Sequence, residues 1–130
     1  MILDTSFFID LIDGDEGAID MARRLEDNGI PQRIPAQVVY ELFVGVGYTD
    51  TPDEEVGTLE GVLAARPVVE TTEAIAARAG RMDGRLRRDG VRIAVSDLII
   101  GATGLAYDEP VVTRDVEDFE RIPGVDVATY

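Results

Sequence analysis

The chain has 130 residues, 45% hydrophobic and 29% charged, a balance that fills one core and excludes a chain disordered by composition. It has no cysteine and no histidine, which excludes disulfide staples, zinc sites built on thiolate or imidazole, and nucleophiles activated by a histidine. Twelve basic residues, all arginine, face 26 acidic ones, for a net charge of −14.

Met1 to Leu3 is a short apolar run ending at Asp4 and reads as a buried first strand. Thr5 or Ser6 is placed to cap a following helix that carries Phe7, Phe8, Leu11 and Ile12. Asp15 to Asn28 has the spacing of an amphipathic helix, with Ile19, Ala22 and Leu25 inward and Gly29 closing it. Arg33 to Pro35 is a short second strand. Gln37 to Gly47 reads as a helix with Val38, Val39, Leu42, Phe43 and Val46 on one face and Glu41 on its flank.

A further helix runs from Thr51 to Ala65, opened by Thr51-Pro52 with acids in its first turn. Pro67 to Glu70 is a strand. Glu73 to Arg88 is a helix with Ile75, Ala76, Ala79, Met82 and Leu86 inward. Ser96 is placed to cap a helix from Asp97 to Ala106 that is apolar nearly all round, so it belongs at the centre of the fold. Gly101 and Gly104 would let that helix approach a sheet closely. Pro110 to Thr113 is a strand, Asp115 to Glu120 a helical turn, and Val125 to Ala128 an edge strand. Short apolar strands alternating with helices predict an α/β fold with a largely parallel sheet, in a single domain spanning residues 1–130. The longest nearly apolar stretch, Leu98 to Tyr107, is too short and glycine-rich to span a bilayer, and MILDTSFF lacks the positive start of a secretory signal, so no membrane and a cytoplasmic location are expected.

Open parallel sheets carry their sites beyond the carboxyl ends of the strands. Asp4 ends the first strand, Asp115 follows Val111–Thr113, Asp97 opens the apolar helix, and Glu41 lies beside an apolar helical face. Carboxylates gathered in one mouth repel, and must take up protons or a cation. An all-oxygen set without nitrogen or sulfur suits a hard ion, Mg²⁺ or Mn²⁺, which commonly bridges to phosphate. With no histidine or lysine available, the metal would have to generate the nucleophile and stabilise the leaving oxygen. Each acid also has a structural role open to it. Asp4 and Asp115 can cap the helices that follow them, Asp97 gains from a helix dipole, and Glu41 can be a plain surface residue.

The same residues carry a family resemblance. MILDTSFFIDLI at the start, VVYELFVG around Glu41 and SDLIIGATGLAYDEPVVTRDVEDFERIPGVDV at the end resemble a PIN domain of the VapC type, the toxin of a toxin–antitoxin pair. The resemblance spans nearly the whole chain, and residues 49 to 93 add little to it. It implies a three-layer α/β/α sandwich on a mainly parallel sheet of about five strands. It also implies Mg²⁺- or Mn²⁺-dependent cleavage of RNA, a homodimer, and a small cognate VapB-like antitoxin that lays a segment across the active site. Carried over by position, the acidic ligands are Asp4, Glu41, Asp97 and Asp115, with Asp118 as an auxiliary ligand or supporting acid. Ser6 and Thr113 match hydroxyls that orient the acids or a water. Many members have Asn at the place of Asp115, so this chain adds a negative charge there.

A charge of −14 is awkward for an enzyme acting on a polyanion, which usually relies on basic residues. Half of the arginines, however, lie between Arg78 and Arg92, and Arg81, Arg85 and Arg88 share a helical stripe with Arg78, a candidate phosphate contact. The competing reading is a solvated face of salt bridges. Acid enrichment without lysine also resembles adaptation to a high-salt cytoplasm, where at about 1 M salt the Debye length is about 3 Å and surface acids barely repel. Phe8, Ile12, Phe43 and Val46 form a spare apolar patch for a homodimer or an antitoxin. The remaining alternatives are an RNA maturation or turnover nuclease and a non-catalytic RNA- or protein-binding module of the same fold. A receiver-type domain would need a lysine, and a haloacid-dehalogenase-like phosphatase would need an Asp where Ser6 stands.

Overall fold

The apolar triplet Met1 to Leu3 enters the middle of a parallel sheet. In the computed structural model, which describes residues 1–130, β1 (Ile2–Leu3) pairs with β4 (Val111–Val112), and β4 pairs with β5 (Val127–Ala128), all in parallel. On the other side, β2 (Ile34–Pro35) pairs in parallel with β3 (Val68–Val69). A parallel bridge between Ile2 and Arg33 joins the two pieces, so the spatial order is β3-β2-β1-β4-β5.

Parallel neighbours cannot be joined by a tight turn and need a crossover. Helices supply every one. α1 (Thr5–Asp13) and α2 (Glu16–Asp27) connect β1 to β2, and α3 (Ala36–Tyr48) and α4 (Pro52–Leu63) connect β2 to β3. α5 (Glu73–Arg88) and α6 (Val95–Tyr107) connect β3 to β4, and α7 (Val116–Glu120) connects β4 to β5. No helix is long and apolar enough to cross a membrane.

Successive strand residues face opposite sides of a sheet. Ile2, Leu3, Val111 and Val112 are all fully buried, so both faces of the central strands are covered. The edge strands β3 and β5 are only partly buried. This is the sandwich class the sequence predicts, with five short parallel strands. One apolar cluster, including Phe7, Phe8, Ile34, Leu98, Ile100 and Phe119, fills the interior. α6 lies at its centre, packed on β1 and β4, with Leu98, Ile100, Ala102 and Thr103 buried. Gly104 makes this possible: a Cβ there would stand 3.0 Å from the Glu109 carbonyl oxygen.

Several local expectations need correction. Neither Thr5 nor Ser6 caps α1; Asp4 occupies that position, and the helix already includes both hydroxyls. α6 begins at Val95 rather than Asp97, with Ala94 at the cap, so Ser96 sits inside the first turn. Phe8 is fully buried and cannot belong to a free patch, whereas Phe43 of the same expected patch is 41% exposed. Only Val38 and Leu42 of α3 are buried, while Val39 and Val46 are partly buried against the core. Ala76 is exposed; the buried face of α5 is Ile75 and Ala79.

Candidate active site

β1 continues through α1 and α2 to β2 on one side, while β4 and β5 build out on the other. The strand order reverses between β1 and β4, and this is where an open α/β sheet leaves a crevice at its carboxyl end. Asp4 follows β1 and the segment Thr113-Arg114-Asp115 follows β4. The two segments meet because Asp4 N–H donates to the Val112 carbonyl at 3.0 Å.

Asp4 is buried and its Oδ2 accepts two hydroxyl protons, from Ser6 at 2.9 Å and from Thr113 at 2.7 Å. Each hydroxyl has one proton to give, so none remains for the 3.1 Å contact between Ser6 Oγ and Thr113 Oγ1. Both hydroxyls are in turn acceptors. Arg114 N–H donates to Ser6 Oγ at 3.1 Å, and Asp115 N–H donates to Thr113 Oγ1 at 2.9 Å. Two chains of donors, each running from backbone to hydroxyl to carboxylate, therefore end on one oxygen of Asp4, and such chains polarise cooperatively. Burial nevertheless pushes the Asp4 carboxyl up, against the two hydroxyls and with help from the charge of Glu41.

The capping roles open to the acids are not taken. Asp4 and Asp115 both sit at helix N-cap positions, yet neither side chain makes a cap bond. Asp15 shows what the alternative looks like, since its Oδ1 accepts from Ala18 N–H at 2.9 Å. Glu41 projects from the middle of α3 toward α1, where Thr5 Oγ1 donates to its Oε1 at 2.8 Å. One turn earlier on α3, Gln37 reaches Ser96 in the first turn of α6 at 3.4 Å, which ties the Glu41 helix to the helix of Asp97.

Asp97 collects the field of the whole constellation. Its carboxyl is pushed up to about 7, first by burial and then by the negative charges of Asp4, Asp118, Glu41 and Asp115. Asp97 is thus within electrostatic reach of the other four candidate acids, with Asp115 and Asp118 at the exposed side and Asp4 at the buried floor. They converge without closing, as no three stand at a spacing that encircles an ion.

The donor set tests whether a divalent ion fits. The chain has five ion pairs, and none involves Asp4, Glu41, Asp97, Asp115 or Asp118. Arg114 stands beside Asp115 but turns its guanidinium to Asp10, whose other oxygen accepts from Tyr130 Oη at 2.6 Å. Five carboxylates with no cation paired to them, one of them pushed up to about 7 first by burial and then by the charges of the others, form an all-oxygen site that lacks positive charge. That fits Mg²⁺ or Mn²⁺.

Thr5, Gln37 and Arg114 make contacts around the acids that sequence reasoning did not assign to them. The signal for Gln37 was available: it lies four residues before Glu41 and so on the same helical face. Of the arginines proposed for phosphate contact, Arg81 and Arg85 line one groove together with Arg78, and Arg88 does not.

A PIN-domain family model matches residues 1–125. Ribonuclease VapC19 of Mycobacterium tuberculosis is 29% identical over 122 residues, covering 94% of each chain. A chain in the VapBC2 complex of Rickettsia felis, bound to a DNA fragment from its promoter, superposes with a TM-score of 0.91 at 21% identity, over 99% of this chain and 97% of that one. DNA-bound VapBC from Salmonella typhimurium gives 0.88 at 25% identity, over 98% and 96%. With a family model spanning almost its full length, the chain belongs to the PIN-domain family.

Proposed function

We propose that this chain is an endoribonuclease dependent on Mg²⁺ or Mn²⁺, and the toxin half of a type II toxin–antitoxin pair. The observation that carries the reading is the set of carboxylates gathered around Asp97, none paired with an arginine, at the strand-order reversal. Relatives named as VapC ribonucleases and structural neighbours that are VapBC complexes support it.

Asp4, Glu41 and Asp97 would hold the ion, with Asp115 and Asp118 at the open side. When bound, the ion supplies Lewis acidity toward water and the phosphate. The protein's own groups do the rest. The paired hydroxyls fix Asp4 in one orientation, and the Thr5 hydroxyl does the same for Glu41. Without the ion, Asp97 holds its proton up to about neutrality, so loading the ion would release it. With no histidine or lysine in the chain, carboxylates are the groups that can move the proton from attacking water toward the leaving oxygen.

The partner reading rests on exposed apolar side chains beside the site. Tyr40, Phe43, Val44 and Tyr48 of α3 are exposed, as is Ile9 of α1. A cleft of about 160 Å³ between α1, α3 and α4 runs from Ile9 and Leu59 to Glu41. An apolar antitoxin segment laid in that cleft would reach the acids, and the remaining α3 surface suits a homodimer. A cytoplasmic location accords with an RNA substrate.

The test is cleavage of single-stranded RNA by the purified chain in Mg²⁺, in Mn²⁺ and in chelator, with Asp4→Asn and Asp97→Asn alongside. Cleavage that needs the ion and both acids is expected. Equal activity in wild type and both variants, or activity undiminished in chelator, would remove the proposal. Inhibition by the product of a small adjacent reading frame separates toxin from maturation enzyme.

A further inference from the structure

A groove of about 620 Å³ runs along the seam between α5 and α6, lined by Arg78, Arg81 and Arg85 with Leu105, Pro123 and one acid, Asp89. The three arginines are exposed and make no ion pair or hydrogen bond. Elsewhere this chain does spend arginine on acids: Arg33 pairs with Glu109, and Arg87, on the same helix, pairs with Asp83 at 2.7 Å. On a molecule of net charge −14, three unpaired guanidinium groups in one concavity mark a place built for an anion.

The groove also has a direction. Arg78 lies with Leu105, and the adjoining cleft of about 260 Å³ brings Ile75 to Tyr107. α5 and α6 are therefore antiparallel, and the Arg85 end of the groove leads toward the first turn of α6, where Asp97 stands. Arg78, Arg81 and Arg85 fall at positions i, i+3 and i+7, on one helical face.

We propose that the α5–α6 groove is the track for the RNA strand flanking the scissile phosphate. Arg78, Arg81 and Arg85 fork onto backbone phosphates, and Leu105 and Pro123 offer apolar surface to the bases. The inference rests on the ribonuclease reading above. The run of the groove toward the first turn of α6 favours a nucleic-acid strand over an acidic peptide, because the acids there need a phosphodiester delivered to them. Guanidinium forks match phosphate oxygens, and these short contacts survive salt better than long-range attraction.

The test compares the full chain with the variant Arg78→Gln/Arg81→Gln/Arg85→Gln, and with Arg87→Gln as a control outside the groove. Binding of a labelled single-stranded RNA is read by fluorescence anisotropy in chelator. Cleavage is read on RNAs of about 16 and about 4 nucleotides, bracketing a single-strand site. The triple variant is expected to bind about tenfold or more weakly, with the slope of log affinity against log salt lower by about 2, since each single-strand phosphate contact contributes about 0.7. On the longer RNA its KM rises while kcat stays. On the short RNA it matches wild type, which also shows that it folds. Unchanged affinity and slope would overturn the proposal. So would lost binding of poly-glutamate, or an altered oligomeric state, with RNA affinity intact. If wild type cleaves no RNA at all, the ribonuclease reading fails, while anisotropy still judges the groove.

Discussion

Thr113 gives its hydroxyl proton to Asp4 Oδ2 at 2.7 Å, linking the ends of two adjacent strands that lie 109 residues apart along the chain. The same oxygen atom of Thr113 accepts the Asp115 N–H, so one side chain orients one acid and anchors the backbone of another. Thr113→Val keeps the volume and removes both bonds. Asp4 is buried, and a buried group that loses a hydrogen-bond partner costs about 1–3 kcal/mol, so the melting temperature falls. Loss of a group that orients metal-binding residues typically costs about 10–100-fold in metal affinity or activity. Thr113→Ser is expected to recover most of both. Single-turnover cleavage at rising Mg²⁺ checks this, and a wild-type rate in the valine variant would show that the hydroxyl orients nothing.

The pH dependence of stability follows from Asp97. Its carboxyl is at about 7 in the folded chain without metal, against 3.8 ordinarily. Between those values the folded state holds a proton that the unfolded state has lost. The slope of unfolding free energy with pH is then negative, and stability falls as pH rises through this window. Thermal unfolding in chelator is expected to show a melting temperature several degrees lower at about pH 8 than at about pH 5. Asp97→Asn removes the titration and one of five repelling charges. Its melting temperature is expected to lie above wild type at the higher pH although the variant is inactive, the common trade between a strained site and stability. A variant less stable than wild type at that pH would contradict the repulsion.

Divalent cation should reverse the same effect. An ion that binds only the folded chain stabilises it by about 2.7 kcal/mol at a hundred times its Kd. Mg²⁺ or Mn²⁺ is expected to raise the melting temperature of wild type at neutral pH and to flatten its pH slope, with little effect on Asp4→Asn or Asp97→Asn. Monovalent salt at matched ionic strength separates binding from screening, which acts on all 26 acids. Equal stabilisation by the monovalent salt would leave the cluster without a specific ion.

The elements were legible in the sequence because apolar runs and helical spacing are local. Every strand and helix was anticipated to within a few residues, and Gly29, closing α2, does adopt a positive φ of 61°. Asp4, Asp97 and Asp115 were legible as strand-end and helix-start positions, since topology alone carries such positions to one edge of a parallel sheet. What failed was the choice between residues of equal local character. Phe8 and Phe43 look alike in sequence, and only the packing of α1 and α3 buries one and exposes the other. The Thr5–Glu41 bond was hidden for a related reason. Thr5 precedes a helical run and so resembles a cap, but the tertiary fold turns its hydroxyl to another helix. Nor can spacing show that Asp4 and Asp115 leave their caps unmade, because that depends on what else competes for the carboxylate.

The closeness of α6 to the sheet makes a last prediction in which two effects oppose. Replacing a helical glycine by alanine gains up to about 1 kcal/mol in helix propensity. At Gly101 the new Cβ meets Ile122 Cδ1 at 3.0 Å and Val125 Cγ2 at 3.3 Å, and the first of these is the far end of a flexible side chain. At Gly104 it meets the Glu109 carbonyl oxygen at 3.0 Å and Val111 Cγ2 at 3.2 Å. That carbonyl belongs to the turn leading into β4, and Glu109 N–H is itself bonded to the Gly104 carbonyl at 3.0 Å. The backbone there cannot yield without moving β4 away from β1, and overpacking of this kind costs about 1–3 kcal/mol. Gly101→Ala is therefore expected to be close to neutral in denaturant unfolding, and Gly104→Ala clearly destabilised. Because β4 carries Thr113 and Asp115 to the site, Gly104→Ala is also expected to need more Mg²⁺ for cleavage. Equal stability of the two variants would show that the sheet is free to shift under α6.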